Sequence, residues 1–186
     1  MPAIAAKADT SWVPGWYREK YEPWSRQVQP LIEAHQYGQA FKTYPFLSFD
    51  QSPWRPVQIP ISDVRLGIVS TAGLYRRDVD SPFGDGPDGE GDSRVIALPR
   101  DVDIGTLASA HTHIPHDLIE ADVNVALPLD HLRALVREGR IREIGPRIIS
   151  LVGSRSRADL VATETAPRIA GTMVEDGITL ALVIPA

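Results

Sequence analysis

The chain has 186 residues, 43% of them hydrophobic, and a net charge of −5 with acidic and basic residues interspersed, which suits one core-forming domain and argues against nucleic acid as a partner. No apolar run reaches the roughly 18 residues that a membrane helix needs, and the first residues lack the pattern of a secretory signal, so we expect a cytoplasmic protein without a membrane contact. Cysteine is absent, which excludes disulfides, thiolate catalysis and cysteine-ligated zinc within these residues.

Residues 1–60 predict an extended N-terminal arm rich in tryptophan and proline. All four tryptophans of the chain lie in it: Trp12, Trp16, Trp24 and Trp54. One short helix is expected over residues 28–43. Aromatic-rich arms pack on their own domain or on a neighbouring subunit, because tryptophan combines apolar area with a polar tip. Both alternatives stay open, and the second makes an oligomer or a complex the expected state.

Residues 61–186 predict an α/β domain. Short β-branched runs predict strands over residues 64–70, 94–99, 122–128, 147–152 and 178–184. Helical periodicity predicts helices over residues 129–139 and 160–176, the second bent or restarted at Pro167. Strands that alternate with helices favour a mostly parallel sheet covered by helices, with the apolar strand 178–184 at its centre.

Three of the five histidines, His111, His113 and His116, lie within six positions. In an extended segment residues i and i+2 point to the same side, so His111 and His113 are expected to face one shared pocket. These histidines, completed by His116, Asp117 or Asp122, would form a site for a divalent transition metal. Imidazole and carboxylate ligands suit zinc or iron.

Two alternatives to a metal site stay open. Histidine has an unperturbed pKa of about 6.5 and suits acid–base catalysis, which makes His111, His113 and Asp122 candidate catalytic residues. The other alternative is a polar loop whose histidines bond to backbone and water.

The end of the first predicted strand is a candidate substrate site. Ligands of open α/β sheets gather at the carboxyl ends of strands. Thr71 and free backbone amides as far as Gly73 could therefore hold a substrate carboxylate, although a tight turn would use the same residues. Arg147 is a further candidate for binding an anion, unless it forms a surface ion pair.

Several short segments together carry a family resemblance. They are Val69-Ser70-Thr71-Ala72-Gly73, Gly91-Asp92, Ala110-His111-Thr112-His113, Asp122-Val123-Asn124, Leu127-Pro128-Leu129-Asp130-His131-Leu132 and Gly145-Pro146-Arg147. Over about residues 63–186 the chain resembles the selenoprotein B family, the B-type subunits of glycine, sarcosine, betaine and D-proline reductases. The resemblance implies a subunit of a complex that cleaves a carbon–nitrogen bond in a small amine or amino acid. It also implies partner subunits that carry a pyruvoyl group, and it adds Asn124 to the candidate substrate-binding residues.

One departure from the family concerns the chemistry itself. In the family, a selenocysteine or cysteine motif follows the last apolar strand, whereas this sequence reaches Ala186 where that motif would begin. Three functions therefore compete: a reductase-family subunit, a metal-dependent enzyme or metal-binding protein built on the histidine cluster, and a non-catalytic remnant that stabilises a partner through the N-terminal arm.

Overall fold

The computed structural model describes residues 15–46, 55–84, 92–112, 114–153 and 161–186. They belong to two compact units, one within residues 1–55 and the other within residues 56–156 and 160–186. Trp12, Trp54 and His113 lie outside the described residues. Within these ranges, no helix combines the length and the apolar character that crossing a membrane requires.

The first unit is a helical hairpin with a small aromatic core. Helix α1 spans Gly15–Glu33, and after a turn the short helix α2 spans Tyr37–Ala40. Trp24 and Val28 of α1 are buried together with Ala40. The indole Nε1 of Trp24 donates a hydrogen bond of 3.2 Å to the carbonyl oxygen of Ala40. This bond satisfies the polar atom of the buried indole and fastens α2 to α1.

The helix predicted over residues 28–43 was wrong in its bounds, because α1 begins earlier and ends at Glu33. The reason is that α1 contains Pro23 and Pro30. Proline inside a helix removes a hydrogen bond and ordinarily ends it, so the sequence pattern favoured irregular chain here. The expected contact of the N-terminal arm with a partner stays a prediction.

The second unit contains a mixed, mostly parallel sheet of four strands. The strands of the unit are β1 (Arg65–Ser70), β2 (Leu74–Arg76), β3 (Ile96–Pro99), β4 (Leu107–Ser109), β5 (Glu143–Ser150) and β6 (Leu180–Ile184). The sheet has the order β3-β5-β1-β6, in which β1 is parallel to both neighbours and β3 is antiparallel to β5. Strands β2 and β4 form a separate antiparallel ribbon. The prediction of a mostly parallel sheet combined with helices is confirmed.

Three helices accompany this sheet among the described residues: α3 (His116–Ala121), α4 (Leu129–Arg137) and α5 (Ala166–Glu175). Helix α4 confirms the helix predicted over 129–139, and its buried stripe contains Leu129 and Leu132. A π-helical turn precedes α5. Helix α5 then begins with proline in its first turn, as expected at Pro167, since a proline there loses no intrahelical bond.

The core covers both faces of β1. Ile68 packs in the cluster that includes Leu129 of α4. Its neighbour Val69 packs in a second cluster against Ile169 and Met173 of α5. Successive side chains of a strand point to opposite faces. The continuous apolar run of β1 therefore reflects packing on both sides of the sheet.

Two predictions about strands were wrong, one on the existence of a strand and one on the position of a strand in the sheet. Residues 122–128 contain a 3₁₀ turn, Val123–Val125, in which the carboxylate of Asp122 accepts a 2.9 Å bond from the amide of Asn124. Such a local bond competes with strand pairing. Strand β6 lies at the sheet edge instead of the centre, since among the described strands it pairs with β1 alone. The apolar composition of a strand indicates whether its two faces are covered. It does not indicate where the strand lies in the strand order of the sheet.

A carboxylate clasp closes the loop between β2 and β3. Arg94 Nη2 lies 2.6 Å from Asp92 Oδ2 and also donates to the carbonyl of Pro82. The backbone N–H groups of Gly84 and Arg94 donate to the same carboxylate at 3.0 and 2.9 Å. Burial alone would raise the pKa of Asp92, but the bonds from Arg94 and Gly84 outweigh it and lower the pKa to about 2.

This clasp predicts a specific loss of stability in acid. The unfolded pKa of aspartate is about 3.9, so the contribution of Asp92 is complete above that pH and is lost as the pH falls through about 2. We expect Asp92→Asn to lower the free energy of unfolding by about 2 kcal/mol at pH 7, and the difference from the parent chain to shrink toward pH 2. Urea unfolding across this pH range measures it, with the exposed Asp78→Asn as a neutral control. A difference that is independent of pH would contradict the assignment.

Candidate functional site

The candidate site lies where the three parallel strands end. Strands β1, β5 and β6 end in register, with Ser70 opposite both Ser150 and Ile184. In open α/β sheets, ligands bind at this carboxyl edge because loops and side chains converge there. The segment that follows β1 carries two of the predicted substrate-binding residues, Thr71 and Gly73.

The backbone amides at this edge are already hydrogen-bonded. The N–H groups of residues 71–73 donate to Ile184 O at 3.0 Å, Ser70 Oγ at 3.3 Å and Leu151 O at 2.9 Å. The expectation that free amides here hold a substrate carboxylate was therefore wrong. Two of the acceptors, on Leu151 and Ile184, belong to neighbouring strand ends that are distant in sequence, so the pattern of residues 70–73 alone could not reveal them.

Thr71 keeps a side-chain donor at the edge. Its Oγ1 accepts a 2.9 Å hydrogen bond from the amide of Ala186. A hydroxyl also carries one proton to donate. The half-buried Thr71 can therefore offer that proton to a substrate oxygen, and its substrate-binding role stays a prediction.

Gly73 brings the histidine segment to the strand ends. Its φ is +62°, a left-handed conformation that strongly favours glycine. Its carbonyl accepts a 3.0 Å bond from Ala110, and a Cβ added to Gly73 would stand 3.3 Å from the amide nitrogen of His111. Ser109 Oγ also donates to the carbonyl of Ala72 at 2.7 Å. The structure thus brings Thr71, Gly73 and the buried His111 into one neighbourhood.

His116 holds the histidine segment in place from the first turn of α3. Its Nε2 lies 2.7 Å from the carbonyl oxygen of His111. A carbonyl only accepts, so Nε2 donates, and a neutral His116 then has Nδ1 as its remaining acceptor. A recess of about 20 Å³ beside it is lined by residues that include Ser109 and Ile119. That volume suits one water molecule rather than a substrate.

The described residues do not support a metal centre. Among them, no group of three or more histidine, aspartate or glutamate side chains could hold a metal ion. His113 lies outside them, so its pairing with His111 in one pocket stays a prediction. His116 could contribute Nδ1 alone, because Nε2 is bonded to the His111 carbonyl.

Asp122 and Asn124 form a network that begins helix α4. The Asn124 amide donates to Asp122 Oδ1 at 3.0 Å and to Asp130 Oδ2 at 3.2 Å, while its oxygen accepts from the backbone N–H of Asp130 at 3.1 Å. The backbone and side-chain bonds from Asn124 hold the pKa of Asp122 below its usual range, with a smaller contribution from His131. Asp122 is therefore a carboxylate that suits pairing with a cation, whereas a lowered pKa makes it a weaker proton acceptor. The catalytic and substrate-binding roles of these two residues stay predictions.

Arg147 lies apart from this edge, within β5 opposite Pro99 of β3. Its guanidinium binds Asp176 in a bidentate pair of 2.8 and 2.7 Å and approaches Glu175 at 3.3 Å. The Arg147 guanidinium holds the pKa of Asp176 below its usual range. These bonds tie β5 to the end of α5, and an anion-binding role for Arg147 would require a substrate to compete with Asp176.

Two buried serines at the carboxyl edge were missed by the sequence reasoning. Ser70 and Ser150 are fully buried cross-strand partners. Ser70 Oγ donates to the carbonyl of Ala126 at 3.0 Å, whereas Ser150 Oγ has no hydrogen-bond partner in the described part of the chain. Buried hydroxyls are almost always partnered, so Ser150 is a candidate contact for a buried water. The available signal was that Ile-Val-Ser and Ile-Ile-Ser end both strands.

The comparisons with known proteins agree with the sequence resemblance. A family model described as glycine/sarcosine/betaine reductase selenoprotein B matches residues 16–185. The match begins well before residue 63 and so extends into the N-terminal unit. The D-proline reductase subunit gamma of Acetoanaerobium sticklandii is 26% identical over 129 residues, which cover 69% of this chain and 51% of the relative. The chain thus spans about half the length of that relative. No solved structure matches the present chain.

The left-handed turn at Gly73 predicts a stability effect. We expect Gly73→Ala to lower the free energy of unfolding by about 1–3 kcal/mol. The alanine would have to keep a positive φ, and its Cβ would lie 2.9 Å from a methyl group of Val152. Chemical denaturation measures the change. Gly171→Ala in α5, where an added Cβ meets nothing within 4 Å, is the control and should be neutral or slightly stabilising. Equal stability of both variants would show that the turn is not strained.

The metal hypothesis gives a second prediction. If His111 and His113 are ligands, His113→Ala abolishes zinc or iron binding, whereas His131→Ala leaves it intact. Affinity should fall below about pH 6.5, because only neutral imidazole ligates a metal. Elemental analysis and zinc titration of the purified chain measure this. Equal losses in both variants, or no binding at micromolar zinc, would reject the site and leave the polar-loop interpretation.

Proposed function

We propose that this chain, which belongs to the glycine/sarcosine/betaine reductase selenoprotein B family, acts as a subunit of a reductase complex that cleaves a carbon–nitrogen bond in a small amine or amino acid. The observation that carries the proposal is the family match over residues 16–185. The similarity to a D-proline reductase subunit gamma supports the same class of reaction. Partner subunits, an oligomeric state and a cytoplasmic location are parts of the proposal.

The chemistry explains why these residues need a partner. Reductive cleavage of a carbon–nitrogen bond consumes two electrons, and thiolates or selenolates are the side chains that deliver them in this family. These 186 residues contain no cysteine. The reductant must therefore come from outside them. In our proposal these residues bind the substrate and donate the proton that the leaving nitrogen needs.

The carboxyl edge of the sheet is the proposed substrate site. The hydroxyl of Thr71 can donate to a substrate carboxylate, because its lone pair already accepts from Ala186 and its proton is available. The hydroxyl of Ser150, at the end of the adjacent strand, has no hydrogen-bond partner among the described residues, but it is fully buried and is not one of the proposed substrate contacts. The Thr71 hydroxyl is a neutral donor, so it suits the carboxylate of a small substrate.

The leaving nitrogen needs a proton when its bond to carbon breaks. A histidine that titrates near neutral pH suits this role as a general acid. In our proposal His113 supplies the proton, and the buried His111 positions the segment against Gly73. The anionic Asp122 pairs with the positive charge of the substrate amine.

Purification from a host that reduces such substrates tests the proposal. We expect the tagged 186-residue chain to retain a larger subunit that mass spectrometry identifies as a reductase component. The isolated chain with dithiothreitol should not turn over glycine or D-proline, whereas the complex should. In that complex Thr71→Val is expected to raise KM about fivefold with little change in kcat, the effect of losing one neutral hydrogen bond.

Thr172→Val in α5 is the matched control, because it makes the same change, the loss of a threonine hydroxyl, at a position away from the carboxyl edge. Turnover by the isolated chain would contradict the division of labour between subunits. Failure to retain any reductase component would contradict the function itself. An unchanged KM in Thr71→Val would show that the substrate does not bind to Thr71 at this edge.

A further inference from the structure

A pocket of about 310 Å³ lies at the opposite end of β5 from the histidine segment. Its walls come from the second half of α4, the first residues of β5 and the residue after β3. It is lined by Arg100, Arg133, Val136, Arg137, Glu143 and Ile144. Its volume falls in the range of small-molecule sites, which begin at roughly 300 Å³. At about 3.3 Å per residue, the seven steps from the first to the last residue of β5 separate the pocket from the carboxyl edge by roughly 23 Å.

The pocket is positively charged although the chain is acidic. Three arginines face one carboxylate, that of Glu143, in a chain whose net charge is −5. That carboxylate is already shared: Arg65 and Arg142 lie 2.9 and 3.1 Å from its Oε1. Arg65, and then Arg142, hold the pKa of Glu143 below its usual range. Arg100 of the pocket wall also lies close, with its Nη1 3.4 Å from Glu143 Oε2. One carboxylate is thus shared by three guanidiniums and cannot balance the charge of all of them.

Two of these guanidiniums are held in place by backbone carbonyls. Arg133 Nη2 donates to the carbonyls of Arg100 and Val102, each at 2.8 Å. Arg100 Nη1 donates to the carbonyl of Ile144 at 3.2 Å. These bonds fix the direction of the side chains and bring no negative charge of their own. Arg133 Nη1 also lies 3.5 Å from Oδ1 of the exposed Asp130, which offsets part of its charge. The two cations are thus positioned before any ligand arrives, which reduces the entropic cost of binding.

Arg137 completes the group from the last turn of α4. It is exposed, and the structure gives its guanidinium no ion pair or hydrogen bond with the other described residues. An arginine at a helix end is common, because it complements the helix dipole. Here, however, it lines the same pocket as two fixed guanidiniums, an arrangement suited to the planar, forked recognition of a carboxylate or phosphate.

The rest of the pocket is apolar. Val136 of α4 is half-buried, and Ile144 of β5 is almost completely buried. A ligand that matched both parts would carry an acidic head and an apolar body. We propose that this pocket binds a small organic anion, whose carboxylate or phosphate lies among Arg100, Arg133 and Arg137 and whose apolar part lies on Val136 and Ile144.

Binding of simple probes to the full 186-residue chain tests the proposal. The probes are benzoate, phenyl phosphate, inorganic phosphate and neutral benzyl alcohol, followed by calorimetry and by amide chemical shifts. We expect one or both organic anions to bind with Kd on the order of 1 mM or tighter, more tightly than inorganic phosphate or benzyl alcohol. Affinity should fall as salt is added. The stronger of the two organic anions identifies the head group.

Variants locate the site. Arg137→Gln should weaken binding of the organic anions about fivefold, and because Arg137 is exposed the fold should be retained. Arg168→Gln on α5 removes an equally exposed arginine outside the pocket and should leave affinity unchanged. Val136→Thr, which conserves volume, should weaken the organic anions and leave inorganic phosphate unaffected. No binding of either organic anion, equal losses in both arginine variants, or equal affinity for benzoate and benzyl alcohol would overturn the proposal.

Discussion

Strand β1 is the element on which the remainder of the second unit depends. It is hydrogen-bonded along both edges, to β5 and to β6, and buried on both faces. Because the chain leaves β1 directly into residues 71–73, the same strand that organises the core also delivers the candidate site. A shift of β1 by one residue would exchange its two apolar faces and move Ser70 away from Ser150. The register of β1 against β5 and β6 therefore determines both the packing of the core and the arrangement of the candidate site.

The two ends of the sheet have different chemistry. At the carboxyl end the described polar groups include serine hydroxyls and the His116 imidazole, which are hydrogen-bonded to backbone carbonyls. At the amino end, guanidiniums surround Glu143. In our proposal, the Thr71 hydroxyl and the Asp122 carboxylate at the carboxyl end bind the two opposite charges of a small zwitterion. An arginine-rich edge suits a ligand with net negative charge, so the two ends would select different molecules.

Sequence reasoning succeeded where the determining interactions are local. The β-branched run of β1, the apolar stripe of α4 and the restart at Pro167 are all encoded within a few neighbouring residues. The family was also recognisable from several short segments, among them Ala110-His111-Thr112-His113. The failures share a different cause. The amides of residues 71–73 find their acceptors on Ser70, Leu151 and Ile184, and two of these three partners are far away in sequence. The arginine pocket draws on three separated segments whose meeting the pattern does not predict.

The outer edge of β6 bears on how this protein can be handled. Its five residues, Leu180–Ile184, include neither a charged side chain nor a proline, which are the usual devices that keep an edge strand from pairing with another chain. Among the described strands it has a neighbour on one side only. An uncharged edge of this kind can act as a template for a further strand. A partner subunit that supplied that strand would cover the edge, independently of anything it contributes to catalysis.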